Sequence, residues 1–127
     1  MEIMSVTRTE TIGTSSADIG EPIVLSGLAS IINFEVSPDG GDLSAFVVQT
    51  QEHPQGEFHD FLSGADFDST TNANMLWATT TGPQEIGDGN VAAAHVRINA
   101  AYAVKFKATA SAANTTVTIR ATARMGD

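Results

Sequence analysis

The stretch HPQGEFHD gathers His53, His59 and Asp60 into eight residues, and a third histidine, His95, follows far downstream. Imidazole and carboxylate are the makings of a metal site or a general base. A metal ion needs ligands that converge, whereas in a strand His59 and Asp60 point to opposite faces. The intervals between the histidines match no zinc-binding spacing. Two further acidic groups are ADFD, with Asp66 and Asp68, and GDGN, with Asp88 close to Asn90. Calcium loops use carboxylates beside glycine in this way, but the full ligand pattern is absent, and turn carboxylates in water are the simpler reading.

Nucleophilic chemistry has no better footing. There is no G-x-S-x-G elbow, no GxxxxGK[ST] and no HExxH, and Ser26, Ser44 and Ser63 have no base beside them. Trp77 and Tyr102 offer faces that can stack on sugar rings. With one Trp, one Tyr and six Phe, a carbohydrate platform is poorly stocked. Trp77 is expected to pack in the core or at a subunit contact. Asn114 heads an N-T-T sequon, without an export signal to make it a glycosylation site. No enzymatic activity, metal or cofactor is expected.

The elements around these residues are strands. Charged residues make up 17% of the 127 residues, below the roughly 25% of ordinary soluble domains. Thr, Ser, Asn and Gly supply the polarity, a mix suited to strands and turns. The length fits a single domain, residues 1–127. Cysteine is absent, which excludes disulfides and thiolate metal sites. MEIMSVTRTE lacks the basic start and apolar run of an export signal, and no segment approaches the roughly 20 apolar residues of a membrane span. The expectation is a soluble chain made in the cytoplasm, with no membrane partner.

Charge is unevenly placed. Residues 1–90 hold 14 acids and one base, Arg8, whereas residues 91–127 hold five bases and one acid; the total is −9. An acidic chain repels nucleic-acid phosphates, so no direct nucleic-acid contact is expected. The basic C-terminal part can meet an acidic surface, its own or a neighbour's.

Period-2 alternation is the main structural signal. In AYAVKFKATA, Tyr102, Val104, Phe106 and Ala108 share one face, with Lys105, Lys107 and Thr109 on the other. In TTVTIRATARM, Val117, Ile119, Ala121, Ala123 and Met125 oppose Thr116, Thr118, Arg120, Thr122 and Arg124. The small-residue linker SAAN makes the pair read as a β-hairpin. EIMSVTRTET, PIVLSG, SIINFEVS, LSAFVVQTQ, MLWATT and AAHVRIN are further strands. The breakers between them include SPDGGD, HPQG, TGPQEIGDGN and a long polar segment at 63–74, the place for a helical turn or a mobile loop. About eight short strands predict an all-β fold, a single-domain antiparallel β-sandwich or jelly roll. Residues 1–12 are expected to form an N-terminal arm or an edge strand.

FEVSPDGGDLSAFVVQTQEHPQGEF followed by AYAVKFKATASAANTTVTIRATARM resembles, in strand cadence over residues 30–125, the small β-sandwich proteins of tailed-bacteriophage virions. These include capsid decoration (cement) proteins and tail-associated proteins. The resemblance implies a non-enzymatic protein on the outer surface of the capsid, a homotrimer clamping neighbouring capsomers, with the major capsid protein as partner. It supplies no catalytic residues. Under it the contact residues are Met4, Val6 and Arg8 of the arm and the bases Lys105, Lys107, Arg120 and Arg124. Rival readings are a tail-tube, tail-fibre or head–tail adaptor subunit, a carbohydrate-binding module, and a hydrolase built on converging histidines.

Overall fold

A computed structural model describes residues 2–63, 75–77 and 86–125. The 64–74 segment, Asp66 and Asp68, and the packing of the Trp77 side chain therefore lie outside the described residues. Within them the chain is all β. It forms ten strands: β1 (Glu2–Ile12), β2 (Ala17–Asp18), β3 (Ile23–Val24), β4 (Ile31–Asp39), β5 (Leu43–Gln51), β6 (Phe58–Ser63), β7 (Met75–Trp77), β8 (Ala92–Arg97), β9 (Ala103–Ala110) and β10 (Thr115–Arg124). Each of the eight expected runs holds a strand. The two additions are β2, only two residues long, and β6, which the His- and Asp-containing sequence FHDFLS conceals because it alternates poorly.

The strands form two antiparallel sheets, one in the order β1-β10-β4-β8-β7 and the other β2-β9-β5-β6, with β3 also on β9. The pairs β5–β6, β4–β8, β2/β3–β9 and β1–β10 are nested one outside the next along the chain. They make one long antiparallel ribbon, rolled until β10 meets β4 and β9 meets β5. That is jelly-roll topology.

The rolling corrects the expected hairpin. β9 and β10 lie in different sheets, and residues 111–114 arch from one to the other. β9 has β5 on one side and β2 and β3 on the other, while β10 is flanked by β1 and β4, so neither has an edge left for its sequence neighbour. Asn114 takes the left-handed conformation at the end of the arch, with φ 61°, a geometry asparagine tolerates. Thr115, fully buried, turns its hydroxyl back to the Ala112 carbonyl at 2.9 Å.

The core lies between the sheets. Its centre is three phenylalanine rings: Phe34 from β4 faces Phe46 from β5 and Phe106 from β9, with centroids 5.8 and 5.2 Å away. Phe46 and Phe106 stack at 5.9 Å. Ile32, Val36, Val48, Val96, Val117 and Ile119 surround them at 0% exposure. The inward positions directly beside the rings are alanine: Ala94 and Ala121 flank Phe34, and Ala108 flanks Phe46. Small neighbours on the adjacent strands leave room for the large rings in a close-packed interior.

Candidate functional site

Among the described residues, those singled out for chemistry do not converge. His53 sits in the exposed β5–β6 turn, where its Nδ1 accepts the Gln55 backbone N–H at 3.1 Å. His59 is exposed on β6, in the second sheet, and His95 is exposed on β8, in the first. Asp88 is part of a turn lock: its carboxylate accepts the Gly40 N–H at 2.9 Å, and its own N–H donates to the Asp42 carboxylate at 2.8 Å. Gly40 adopts φ 102°, and a Cβ there would stand 3.0 Å from the Asn114 carbonyl, so this turn requires glycine. Among the described residues no group of three or more His, Cys, Asp or Glu side chains is arranged to hold a metal.

The expected contact residues distribute over three places, which corrects the idea of one basic surface. Alternation buries Phe106 and turns Lys105 and Lys107, both half-buried, to the outside of the second sheet. There Lys105 pairs with Asp18 at 3.6 Å and lies over the Phe58 ring at 4.5 Å, and Lys107 stands 3.9 Å from the same carboxylate. Arg120 and Arg124 point out from the first sheet, on the opposite side of the molecule. The arch reverses the outward direction between β9 and β10, so two strands of like pattern present their bases to opposite sides.

The N-terminal segment is the edge strand and not a free arm. β1 pairs with β10 from Glu2 to Ile12, with one irregularity between Glu2 and Met4. Met4 and Val6 turn inward and pack against the core. Arg8 folds over Gly20 and donates its Nε–H to the Glu21 carbonyl at 2.9 Å. A Cβ on Gly20 would come within 2.8 Å of Arg8 Cδ. Arg8 thus straps the β1 edge to the link between β2 and β3.

What the strand register does assemble is an outward face of hydroxyls on the first sheet. Ser5, Thr7, Thr9 and Thr11 of β1 stand opposite Thr122, Arg120, Thr118 and Thr116 of β10. Three of these pairs touch oxygen to oxygen: Ser5–Thr122 at 3.1 Å, Thr9–Thr118 at 3.5 Å and Thr11–Thr116 at 3.0 Å. Cross-strand hydroxyl pairs of this kind stabilise a solvated sheet face by roughly 0.2–1 kcal/mol each. The signal was visible as T-x-T alternation in both segments, but only pairing aligns the two rows.

Farther across the same sheet the rows continue as Thr122–Asn33–His95 and Arg120–Glu35–Ala93. His95 Nδ1 and Asn33 Oδ1 share a 2.6 Å hydrogen bond. Ala93 is short among long neighbours, and a depression of about 490 Å³ opens there, lined by Ser5, Thr7, Asn33, Glu35, His95 and Arg120. Its lining mixes these polar groups with the apolar Val6, Ala93 and Ala121. The arrangement can offer hydrogen bonds to a contacting surface.

No protein-family profile matches the chain, and no curated protein matches it. Among solved structures it is similar to a Bacillus endospore appendage protein, of a family of disulfide-linked pili, at TM-score 0.49 and 13% identity, covering 97% of this chain and 87% of that one. It is also similar to the SPBc2 prophage-derived protein YomS, at TM-score 0.46 and 14% identity, covering 94% and 96%. A carbohydrate-binding CBM4 structure follows at TM-score 0.38 and 12% identity, covering 92% and 78%. At these scores the likenesses do not assign a function.

Proposed function

We propose that this chain is a structural subunit that works by surface contact, without catalysis, as a decorating protein on the outer shell of a tailed phage. The observation that carries this reading is the hydroxyl-covered outer face of β1 and β10, bordered by the long exposed edge of β1. Such a face suits broad, shallow contact through many weak hydrogen bonds. On a shell, many copies each contributing modest contact stabilise the whole by multivalency. The shell protein is the partner, and Arg120 and Arg124 are the charges this face offers it. The phage setting rests on the resemblance in strand cadence between residues 30 and 125.

Counting copies of the chain in purified particles, by quantitative mass spectrometry against the major shell protein, tests the reading. A ratio near one per shell subunit supports it. A ratio of a few per cent moves the chain to the tail or the head–tail adaptor, and absence from particles rejects the virion role. The depression beside His95 favours a second reading, a saccharide-binding module, which a glycan array separates from the first.

A further inference from the structure

Of the sheet edges, those formed by β2 with β3 and by β6 are poor templates for a further strand. The β2/β3 edge is broken into two-residue pieces by Gly20, at φ 71°, and by Pro22. β6 carries a register irregularity against β5 between Val48 and Gln49. β1 differs. It has eleven residues, contains neither proline nor glycine, and is regular from Met4 to Ile12. Its outer side meets no strand among the described residues. Edge strands are ordinarily blunted by short length, bulges, proline or charge, and a long regular one is a pairing template.

Two charges on β1 decide what it pairs with. Arg8 and Glu10 occupy the inward-facing set of positions, and within their own sheet they stand opposite Ile119 and Val117, so neither has an opposite charge across from it on β10. Partners in an antiparallel ladder share a face, so a second β1 related by a twofold axis normal to the sheet can pair only in registers that keep odd against odd. With the axis at Arg8, arginine opposes arginine. With the axis at Val6, Arg8 meets Met4, and Glu10 falls opposite the irregular stretch between Glu2 and Met4. With the axis at Thr7, Arg8 meets valine and Glu10 meets methionine. With the axis at Thr9, Arg8 opposes Glu10 of the second copy and Glu10 opposes its Arg8. Val6 then meets Ile12, and Thr7 meets Thr11, which extends the hydroxyl rows. The like-charge and unpaired registers are penalised, so the two charges select both the partner and the alignment.

We propose that β1 pairs antiparallel with β1 of a second copy, about a twofold axis through Thr9, to join the two first sheets into one. The interface is isologous and closes at two copies, in contrast to the threefold association that the resemblance implies. It does not depend on the shell-decorating role, since it is a property of the isolated protein.

The absence of cysteine makes the test clean. Thr9→Cys would place two sulfurs across the axis with Cα atoms about 4.5–5.5 Å apart, inside the range a disulfide spans. Thr7→Cys, equally exposed, would be offset from its own copy by four residues, roughly 13 Å. Under mild oxidation Thr9→Cys is expected to give a species of twice 13.2 kDa. It should form at least ~10-fold faster than from Thr7→Cys, because only paired strands hold the thiols at high effective concentration. Glu10→Arg, which would set arginine against Arg8 of the second copy, should reduce the two-copy species in sedimentation. Equal crosslinking of the two cysteine variants, crosslinking of Thr7→Cys alone, or a three-copy mass without a Thr9 crosslink would overturn the proposal. A failed crosslink alongside high copy number in particles would reject this interface and leave the decorating role standing.

Discussion

Phe34→Ala is the sharpest test of how the two sheets are held together. Phe34 is the β4 side chain that reaches both Phe46 and Phe106 on the opposite sheet, and it is 2% exposed. Truncating a buried phenylalanine costs about 3–5 kcal/mol, from lost transfer energy and the cavity left behind. The wall of that cavity is the Phe46–Phe106 stack, pinned by β5 and β9, so collapse into the space is limited. The expected loss is therefore about 4 kcal/mol. For a chain of 127 residues, an unfolding entropy of about 2.1 cal/mol/K per residue converts this to a Tm lower by roughly 15 °C. Urea titration followed by far-UV circular dichroism measures it, with an unchanged m-value as the check that the transition stays two-state. Phe34→Leu, which keeps most of the volume, should lose only about 1–1.5 kcal/mol. A loss below about 1 kcal/mol for the alanine variant, or equal losses for both variants, would refute the claim that this ring bridges the sheets.

Three further outcomes are expected. Gly20→Ala should lose about 1–2 kcal/mol in the same titration, since alanine disfavours the positive φ and its Cβ strikes Arg8; adding Arg8→Ala should recover part of that loss, and no recovery would mean the contact is not the cause. Thr115→Val should lose about 1 kcal/mol, the net value of the hydroxyl bond to Ala112 in the arch, read as a lower urea midpoint. Asp18→Ala should change stability by less than about 1 kcal/mol, because its ion pairs with Lys105 and Lys107 are solvent-screened; a larger loss would show that these pairs clamp β2 to the sheet.

The strand content was legible because alternation records which side chains leave water. SIINFEVS, KFKATA and TTVTIRATA each bury every second residue, and Phe34 and Phe106 could be anticipated from these faces alone. LSAFVVQTQ, apolar on both faces at its centre, alternates only from Phe46 onward because of the irregularity between Leu43 and Ala45. β6 was hidden because FHDFLS puts charged and apolar residues side by side at a sheet edge, where the pattern relaxes. Of the interaction face, the T-x-T rows could be read, but not their alignment with each other or with Asn33 and His95.

By itself, then, the sequence determined the fold class and the inward residues of the long strands. Side-chain alternation reports burial and is blind to backbone partnership. A hairpin and an arch bury the same residues of KFKATASAANTTVTIR, and they differ only in which strands supply the hydrogen bonds. Tertiary structure chose the arch because β1, β4, β5 and the β2/β3 pair already occupy the edges of β9 and β10. That choice put Lys105 and Lys107 on one side of the molecule and Arg120 and Arg124 on the other. It also left β1 as the long, regular edge.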